Sequence, residues 1–328
     1  MMRRRRSIWT PGRDGPSVNI TVILCTYNRC QSLAKALGSV AVSTLSKSVE
    51  WEVLVVDNNS KDQTRDVVED YCRRHPGRFR YLFESQPGKS HALTAGIQNA
   101  RGDILAFMDD DVTVEPTWLQ NLTAALYNGQ WVGSGGRILP EQQFSPPRWL
   151  PLQDRYALAP LALFDLGPQA GALNEPPFGT NMAFQKKVFE KYDGFRTDLG
   201  PRPGSEIRNE DTEFGHRLLA AGERLRYEAS AVVYHSVPEN RVQKKYFLAW
   251  WFDKARADIR QSATPSDTRW FVAGIPVYLF RRLAVWVVRW IAAVEPSRRF
   301  SNKIKVWTVA GQILECYRQL RGRGSNAN

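Results

Sequence analysis

The sequence lacks most of the features that mark secreted, membrane-spanning or nucleotide-hydrolysing proteins. Its 328 residues include four cysteines, Cys25, Cys30, Cys72 and Cys316, with no C-x-x-C pair among them. So few in so long a chain exclude a disulfide framework and read as free thiols in a reducing compartment. No stretch reaches the roughly 18 uncharged apolar residues that a membrane span requires. The longest candidate, Trp270 to Phe280, stops at Arg281 and Arg282. The N-terminus, MMRRRRSIWTPGRDGP, has the basic start of a signal peptide without an apolar core behind it. Residues 1–17 are therefore expected to form a solvated, flexible basic arm. Phosphate fingerprints also fail. GKS at 88–90 resembles the end of a P-loop, but Phe83 occupies the upstream glycine position. GSGG at 133–136 lacks the third glycine of a dinucleotide loop, where Ile138 stands, and there is no H-E-x-x-H. Kinase, dehydrogenase and zinc-protease chemistries lose their support. No solenoid repeat is present.

What is there suits one large domain, or one domain with an appendage: 43% of the residues are apolar. The net charge of +12 is unevenly placed. Residues 241–328 hold 17 Lys and Arg against 5 Asp and Glu, whereas the first 240 residues hold 28 of each. The basic character belongs to the C-terminal quarter, which is also rich in tryptophan.

From residue 18 to 126 the chain alternates strand and helix signals. VNITVILCTY (18–27), β-branched and apolar, and WEVLVVD (51–57) predict buried strands, and FRYLFE (79–84) and DILAFMD (103–109) two further strands. QSLAKALGSVAV (31–42), DQTRDVVEDYCRR (62–74), KSHALTAGIQNA (89–100) and EPTWLQNLTAAL (115–126) carry helical spacing. This alternation predicts an α/β fold with a mostly parallel sheet, helices on both faces. Residues 140–177 are rich in proline and aromatics and predict long ordered loops or a lid. NMAFQKKVFEKYDGF (181–195) reads as strand then helix, DTEFGHRLLAAG (211–222) as a helix and RYEASAVVYH (226–235) as a strand. KKYFLAWWFDKARADIR (244–260) and PVYLFRRLAVWVVRWIAAV (276–294) read as amphipathic helices.

Ligands of open parallel sheets bind beyond the carboxyl ends of the strands. Here those ends carry Thr26-Tyr27-Asn28-Arg29, Asp57-Asn58-Asn59-Ser60, Gln86-Pro87-Gly88-Lys89 and Asp109-Asp110-Asp111. Any one alone is a turn or a cap; four at one edge point to a ligand site. Three adjacent carboxylates raise one another's pKa unless a cation lies among them. If the strand continues, Asp109 and Asp111 point to one side and Asp110 to the other. An all-oxygen site with few protein ligands suits Mg²⁺ or Mn²⁺ that also binds substrate phosphates. The alternative is an N-cap cluster for the helix near Glu115, but a cap needs one aspartate, not three.

TVILCTYNR, EVLVVDNNSKDQT, GKSHALTAGIQNARGDILAFMDDDV, FGTNMAFQKKVFEKYDGF and NEDTEFGHRLLAAG follow one another as in the family 2 glycosyltransferases of the GT-A fold. The resemblance covers about residues 18–240, with a nucleotide-sugar half (18–139) and an acceptor half (140–240). FMDDDV resembles the family's D-x-D element and NEDTEF its acceptor-side E-D element. The resemblance implies a Rossmann-like GT-A domain that moves a sugar from a nucleotide-diphosphate donor, with inversion and a divalent metal, Mg²⁺ or Mn²⁺. It assigns Thr26, Tyr27, Asn28, Arg29, Asp57, Asn59, Lys89, Asp109 and Asp110 to the nucleotide sugar. Asp111, with Asp109 and His235, is assigned to the metal. Asp211, with Glu210 beside it, becomes the candidate general base; it can equally cap the helix that follows. The sequence departs from the family at Thr94, where relatives often carry asparagine.

For the acceptor, a glycan or lipid-linked glycan, the expected contacts are Trp149, Phe178 and Asn181, with Tyr156 nearby; the aromatics can equally be core. The Q-x-x-R-W element of processive relatives is absent, so a single sugar addition is expected. The basic, tryptophan-rich region 241–328 suits peripheral contact with anionic lipid, at the inner face of the cytoplasmic membrane. A helical cap with ordinary core tryptophans is the alternative, and nucleic acid is not expected as a partner. The reading is a metal-dependent inverting glycosyltransferase of cell-envelope or exopolysaccharide synthesis. Two alternatives stay open: transfer to a polyprenyl phosphate, and a non-catalytic nucleotide-sugar-binding or membrane-scaffold protein.

Overall fold

A computed structural model of the chain describes residues 19–142, 145–152, 157–203, 208–261 and 270–325, with side chains as far as Leu320. The expected basic arm and Tyr156 lie outside the described residues. In chain order the elements are β1 (Ile20–Thr26), α1 (Cys30–Ala41), β2 (Trp51–Asp57), α2 (Thr64–Arg74), β3 (Phe79–Phe83), α3 (Lys89–Asn99), β4 (Ile104–Asp109) and β5 (Val112–Val114). There follow α4 (Trp118–Thr123), β6 (Gly133–Pro140), β7 (Gly171–Leu173), β8 (Asn181–Gln185), α5 (Lys187–Lys191), α6 (Glu210–Ala220) and β9 (Leu225–His235). Three helices close the chain: α7 (Lys244–Gln261), α8 (Val277–Ala292) and α9 (Pro296–Ser325).

β1 to β9 form one sheet, ordered β3-β2-β1-β4-β8-β6-β9-β5, with β7 also on β9. The β3-β2-β1-β4 half is wholly parallel. All seven residues of β2 are buried, as a strand covered on both faces requires. β8 then enters antiparallel to β4, pairing Asn181 with Met108, so its amino end lies beside the carboxyl end of β4. β5 runs antiparallel to β9 and pairs Val112 with His235. These two reversals bring residues 180 and 235 to the edge where β1, β2 and β4 end.

Four of these elements escape the sequence pattern: the three-residue strands β5 and β7, and β6 and α9. GSGG at 133–136 opens strand β6, and the 30-residue α9 has no strong apolar stripe to announce it. α9 packs along α7, where a methyl group on Gly311 would stand 2.4 Å from the Phe252 carbonyl oxygen. Only glycine permits that approach. Buried Glu315 ties the pair by accepting hydrogen bonds from Arg256 and Arg260 of α7. No helix among the described residues is long and apolar enough to cross a membrane.

Candidate active site

The aspartate triplet does not continue the strand. β4 ends at Asp109 and the chain turns through Asp110 and Asp111. The expected alternation is therefore replaced by convergence. Arg29 Nη1 lies 3.0 Å from Asp110 Oδ1 and 2.9 Å from Asp111 Oδ2. Asp109 faces elsewhere: its Oδ1 accepts from Lys89 Nζ at 2.6 Å and its Oδ2 from Thr180 Oγ1 at 2.6 Å. Thr26 Oγ1 donates to Asp110 Oδ2 at 2.7 Å. Asp111 Oδ1 stands 3.7 Å from His235 Nε2, and Arg241 Nη2 is 4.0 Å from its Oδ2. Side-chain cations thus answer the repulsion within the triplet.

The carboxylates differ in their protonation. Burial pushes Asp110 up to about 6, with the neighbouring Asp111 charge adding to the rise and Arg29 opposing it. Burial acts the same way on Asp111, but His235, Arg29 and Arg241 outweigh it and hold that carboxyl well below the usual range. Lys89 loses hydration, yet Asp109 and Glu210 raise it above its ordinary value and keep it charged.

Two cavities meet at Lys89 and Asp109. One, of about 430 Å³, is lined by Thr26, Tyr27, Arg29, the three aspartates, His235 and Arg241. The other, of about 350 Å³, is lined by Phe178, Glu210, Asp211, Tyr246, Trp250 and Trp251 among others. Asp211 sits in the first turn of α6, after Asn209 in the left-handed region. Gly179 N donates to its Oδ2 at 2.7 Å and Thr212 N to its Oδ1 at 2.7 Å, so each oxygen is aimed by a backbone donor. A methyl group on Gly179 would lie 2.9 Å from Asp211 Oδ2. Glu210 is more deeply buried, 3.9 Å from Lys89 Nζ. Burial and the Asp211 charge push it up to about 7 against the pull of Lys89.

The remaining expected residues lie beside the cavities rather than on their walls. Asp57 is buried, accepting from the Tyr81 hydroxyl at 2.8 Å and from Ser60 N at 2.9 Å. Asn28 and Asn59 have positive φ and serve the turns, each accepting from Lys61. Their neighbour Asn58, named in the strand-end cluster but given no role of its own, holds the loop that delivers Lys89. It donates to the Gln86 carbonyl at 2.7 Å and accepts from Gly88 N at 2.7 Å. Thr94 turns back to the Ser90 carbonyl.

Two of the expected acceptor contacts sit elsewhere. Trp149 packs edge-on against Phe247 of α7 and Phe300 of α9, joining the sheet domain to the C-terminal helices. Asn181 is fully buried and its amide is used up: it accepts from Trp118 Nε1 at 2.8 Å and donates to the carbonyls of Arg137 and Ala231. Asn181→Leu strands these three partners and is expected to lower the unfolding free energy by about 3 kcal/mol or more, read by urea titration. An unchanged midpoint would show that the amide is dispensable. Phe178 does line the cavity, stacked obliquely on Phe164 at 4.9 Å. The sequence reading missed Tyr246, Trp250 and Trp251. Their signal is the aromatic run YFLAWWF, within the 241–328 region expected either to contact lipid or to cap the domain.

For a divalent cation, the chain offers Asp111 and His235. Among the described residues no three His, Cys, Asp or Glu side chains form a metal cage. Asp109, expected among the ligands, has both oxygens engaged by Lys89 and Thr180. His235 is buried; its Nε2 lies 3.5 Å from Arg241 Nη1, and its Nδ1 has no partner. A carboxylate and an imidazole, with substrate phosphates completing the shell, fit Mg²⁺ or Mn²⁺.

The family model of glycosyl transferase family 2 matches residues 21–193, and the chain belongs to that family. It is a glycosyltransferase of the hexosyl-transferring type, with the GT-A fold. Glucosyl-dolichyl phosphate glucuronosyltransferase of Haloferax volcanii is 26% identical over 275 residues, covering 81% of this chain and 86% of the relative. Succinoglycan biosynthesis protein ExoM of Rhizobium meliloti is 28% identical over 240 residues, 71% of each. Among solved structures, the mannosyltransferase PcManGT from Pyrobaculum calidifontis, in complex with GDP-Man and Mn²⁺, aligns with a TM-score of 0.53 at 18% identity. That alignment covers 94% of this chain and 79% of the mannosyltransferase, and it is a likeness of fold.

Proposed function

We propose that the protein transfers one sugar, with inversion, from a nucleoside-diphosphate donor to a hydroxyl of a lipid-linked or polymeric glycan. The observation that carries this reading is the pair of cavities joined along Lys89, Asp109 and Arg241, with Arg29 and the aspartate triplet on one side and the oriented Asp211 carboxylate on the other. The larger cavity takes the nucleotide and diphosphate, Lys89, Arg29 and Arg241 facing the phosphate charge. The smaller cavity takes the acceptor, whose sugar faces suit Phe178, Tyr246, Trp250 and Trp251. Asp211 accepts the proton of the acceptor hydroxyl as that oxygen attacks the anomeric carbon. The bond from that carbon to the diphosphate breaks, and Lys89 and Arg241 receive the charge left on the leaving group. Asp111 and His235 would hold a divalent cation, which when bound would supply Lewis-acid stabilisation of the same charge.

The relatives' names support a lipid-linked or polymeric glycan acceptor: one is named for glucosyl-dolichyl phosphate and another for succinoglycan biosynthesis. A thermal-shift screen of nucleotide sugars with Mg²⁺ or Mn²⁺ tests the donor half. One donor is expected to raise the transition temperature markedly more with metal than without, since ligand at about a hundred times its Kd adds roughly 2.7 kcal/mol. If no nucleotide sugar stabilises the protein under either condition, the reading fails.

A further inference from the structure

The C-terminal helices divide into two kinds. α7 and α9 are engaged: α7 lines the acceptor-side cavity and is clamped to α9 through Glu315. α8 is different. It seats Leu279 against Ile275 and Val309, with Leu283 and Trp286 partly covered, and Trp290 meets Trp307 of α9. Its opposite face is bare. Val285 and Val288 are exposed, Val288 to 65% and Ile291 to 70%, and Phe280 lies open beside them. Val294, just beyond the helix, is exposed to 93%. At the other end of α8, Val277 N bonds to the carbonyl of Trp270, and Trp270, Phe271 and Val272 are all exposed. The apolar surface is therefore continued at both ends of the helix.

Charge chooses what covers this face. α8 carries Arg281, Arg282 and Arg289, all exposed, and no acidic residue. The nearest acid, Glu295, is consumed in capping α9, accepting from Ser297 N, Ser297 Oγ and Arg298 N. Exposed Arg298 and Arg299 follow it. A second copy of the chain would bury these guanidinium groups with no carboxylate on either helix to pair them, which is costly. An anionic lipid surface supplies the missing charge, and long arginine side chains reach the headgroups while Val, Ile and Phe enter the acyl boundary.

We propose that α8, with Trp270–Val272, is an interfacial anchor that lies on an anionic membrane surface. This reading goes beyond the transfer reaction and does not depend on the acceptor's identity. It narrows the expected lipid contact of residues 241–328 to one helix face and its flanks. Because α8 is fixed to α9 and α9 to α7, docking would also hold the cavity lined by Tyr246, Trp250 and Trp251 in a set position relative to the bilayer.

The test uses the full chain without donor or acceptor, so that its outcome is separate from the transfer reading. Co-sedimentation is measured with vesicles of phosphatidylglycerol and phosphatidylcholine in equal parts, and with phosphatidylcholine alone. The wild type is expected to bind the anionic vesicles, less strongly as salt rises, and to bind neutral ones weakly. Val288→Glu with Ile291→Glu, and separately Arg281→Glu with Arg282→Glu, are expected to lower partitioning on the order of tenfold or more, with thermal unfolding unchanged. Undiminished binding by both double variants, or no binding by the wild type, overturns the proposal. So does self-association in sedimentation velocity that Val288→Glu abolishes, because the face would then belong to a second copy.

Discussion

Asp211→Asn is expected to slow sugar transfer by about two to four orders of magnitude while leaving donor binding in place. The carboxamide keeps the side chain's shape but cannot take up the hydroxyl proton. Its position is set by Gly179 N and Thr212 N, neither of which touches the donor-side cavity. Donor affinity, read by thermal shift, should therefore change little. The neighbouring Glu210 is the control. It is more buried, and burial with the adjacent Asp211 charge pushes its carboxyl up. Glu210→Gln should act mainly through Lys89, which loses a countercharge 3.9 Å away. If Glu210→Gln proves as severe as expected of Asp211→Asn, and Asp211→Asn is mild, the base is Glu210. If both are mild, the acceptor is already ionised, and a phosphate acceptor becomes the better reading.

Asp111→Ala should remove the metal-dependent part of donor binding, with at least about a hundredfold loss in apparent metal affinity. Asp111 is the carboxylate that neighbours hold furthest into its ionised form, and the one facing His235. Asp109 and Asp110 are otherwise committed, to Lys89 and Thr180 and to Thr26 and Arg29. The measurement is a Mn²⁺ titration of the donor-induced thermal shift, run beside His235→Ala. Equal metal dependence in wild type and Asp111→Ala would falsify the assignment. Loss in both variants, with Asp109→Asn keeping metal dependence, supports the Asp111–His235 pair over a wider aspartate cage.

The parallel half of the sheet was legible because a strand buried on both faces must be apolar along its whole length. WEVLVVD at 51–57 meets that condition residue for residue, and its bounds agree with β2. The residues that follow β1, β3 and β4 were legible for the complementary reason: polar groups at the carboxyl ends of parallel strands are placed there by the fold itself. β6 was not legible. Its glycines look like a loop, but Phe184 crowds Gly133 and Pro177 crowds Gly135, so small residues are demanded by packing from distant segments. Nor could the sequence say that Trp149 and Asn181 are structural while Trp250 and Trp251 line a cavity. Aromatic and amide side chains look alike in sequence whether they are satisfied by the core or left facing a ligand.

The sequence by itself determined the family, the alternating half-sheet and the polar, carboxylate-rich edge at the ends of its strands. Those follow from local rules of periodicity and from motifs a few residues long. Only the tertiary structure decided which partners each carboxylate meets. The antiparallel entry of β8 brings Thr180 onto Asp109, and the β5–β9 register sets His235 opposite Val112, next to Asp111. The packing of α9 on α7 turns one tryptophan-rich stretch into a cavity wall and leaves α8 bare. Each depends on pairings between residues tens to more than a hundred positions apart, and the energy of such a pairing is written in no single segment.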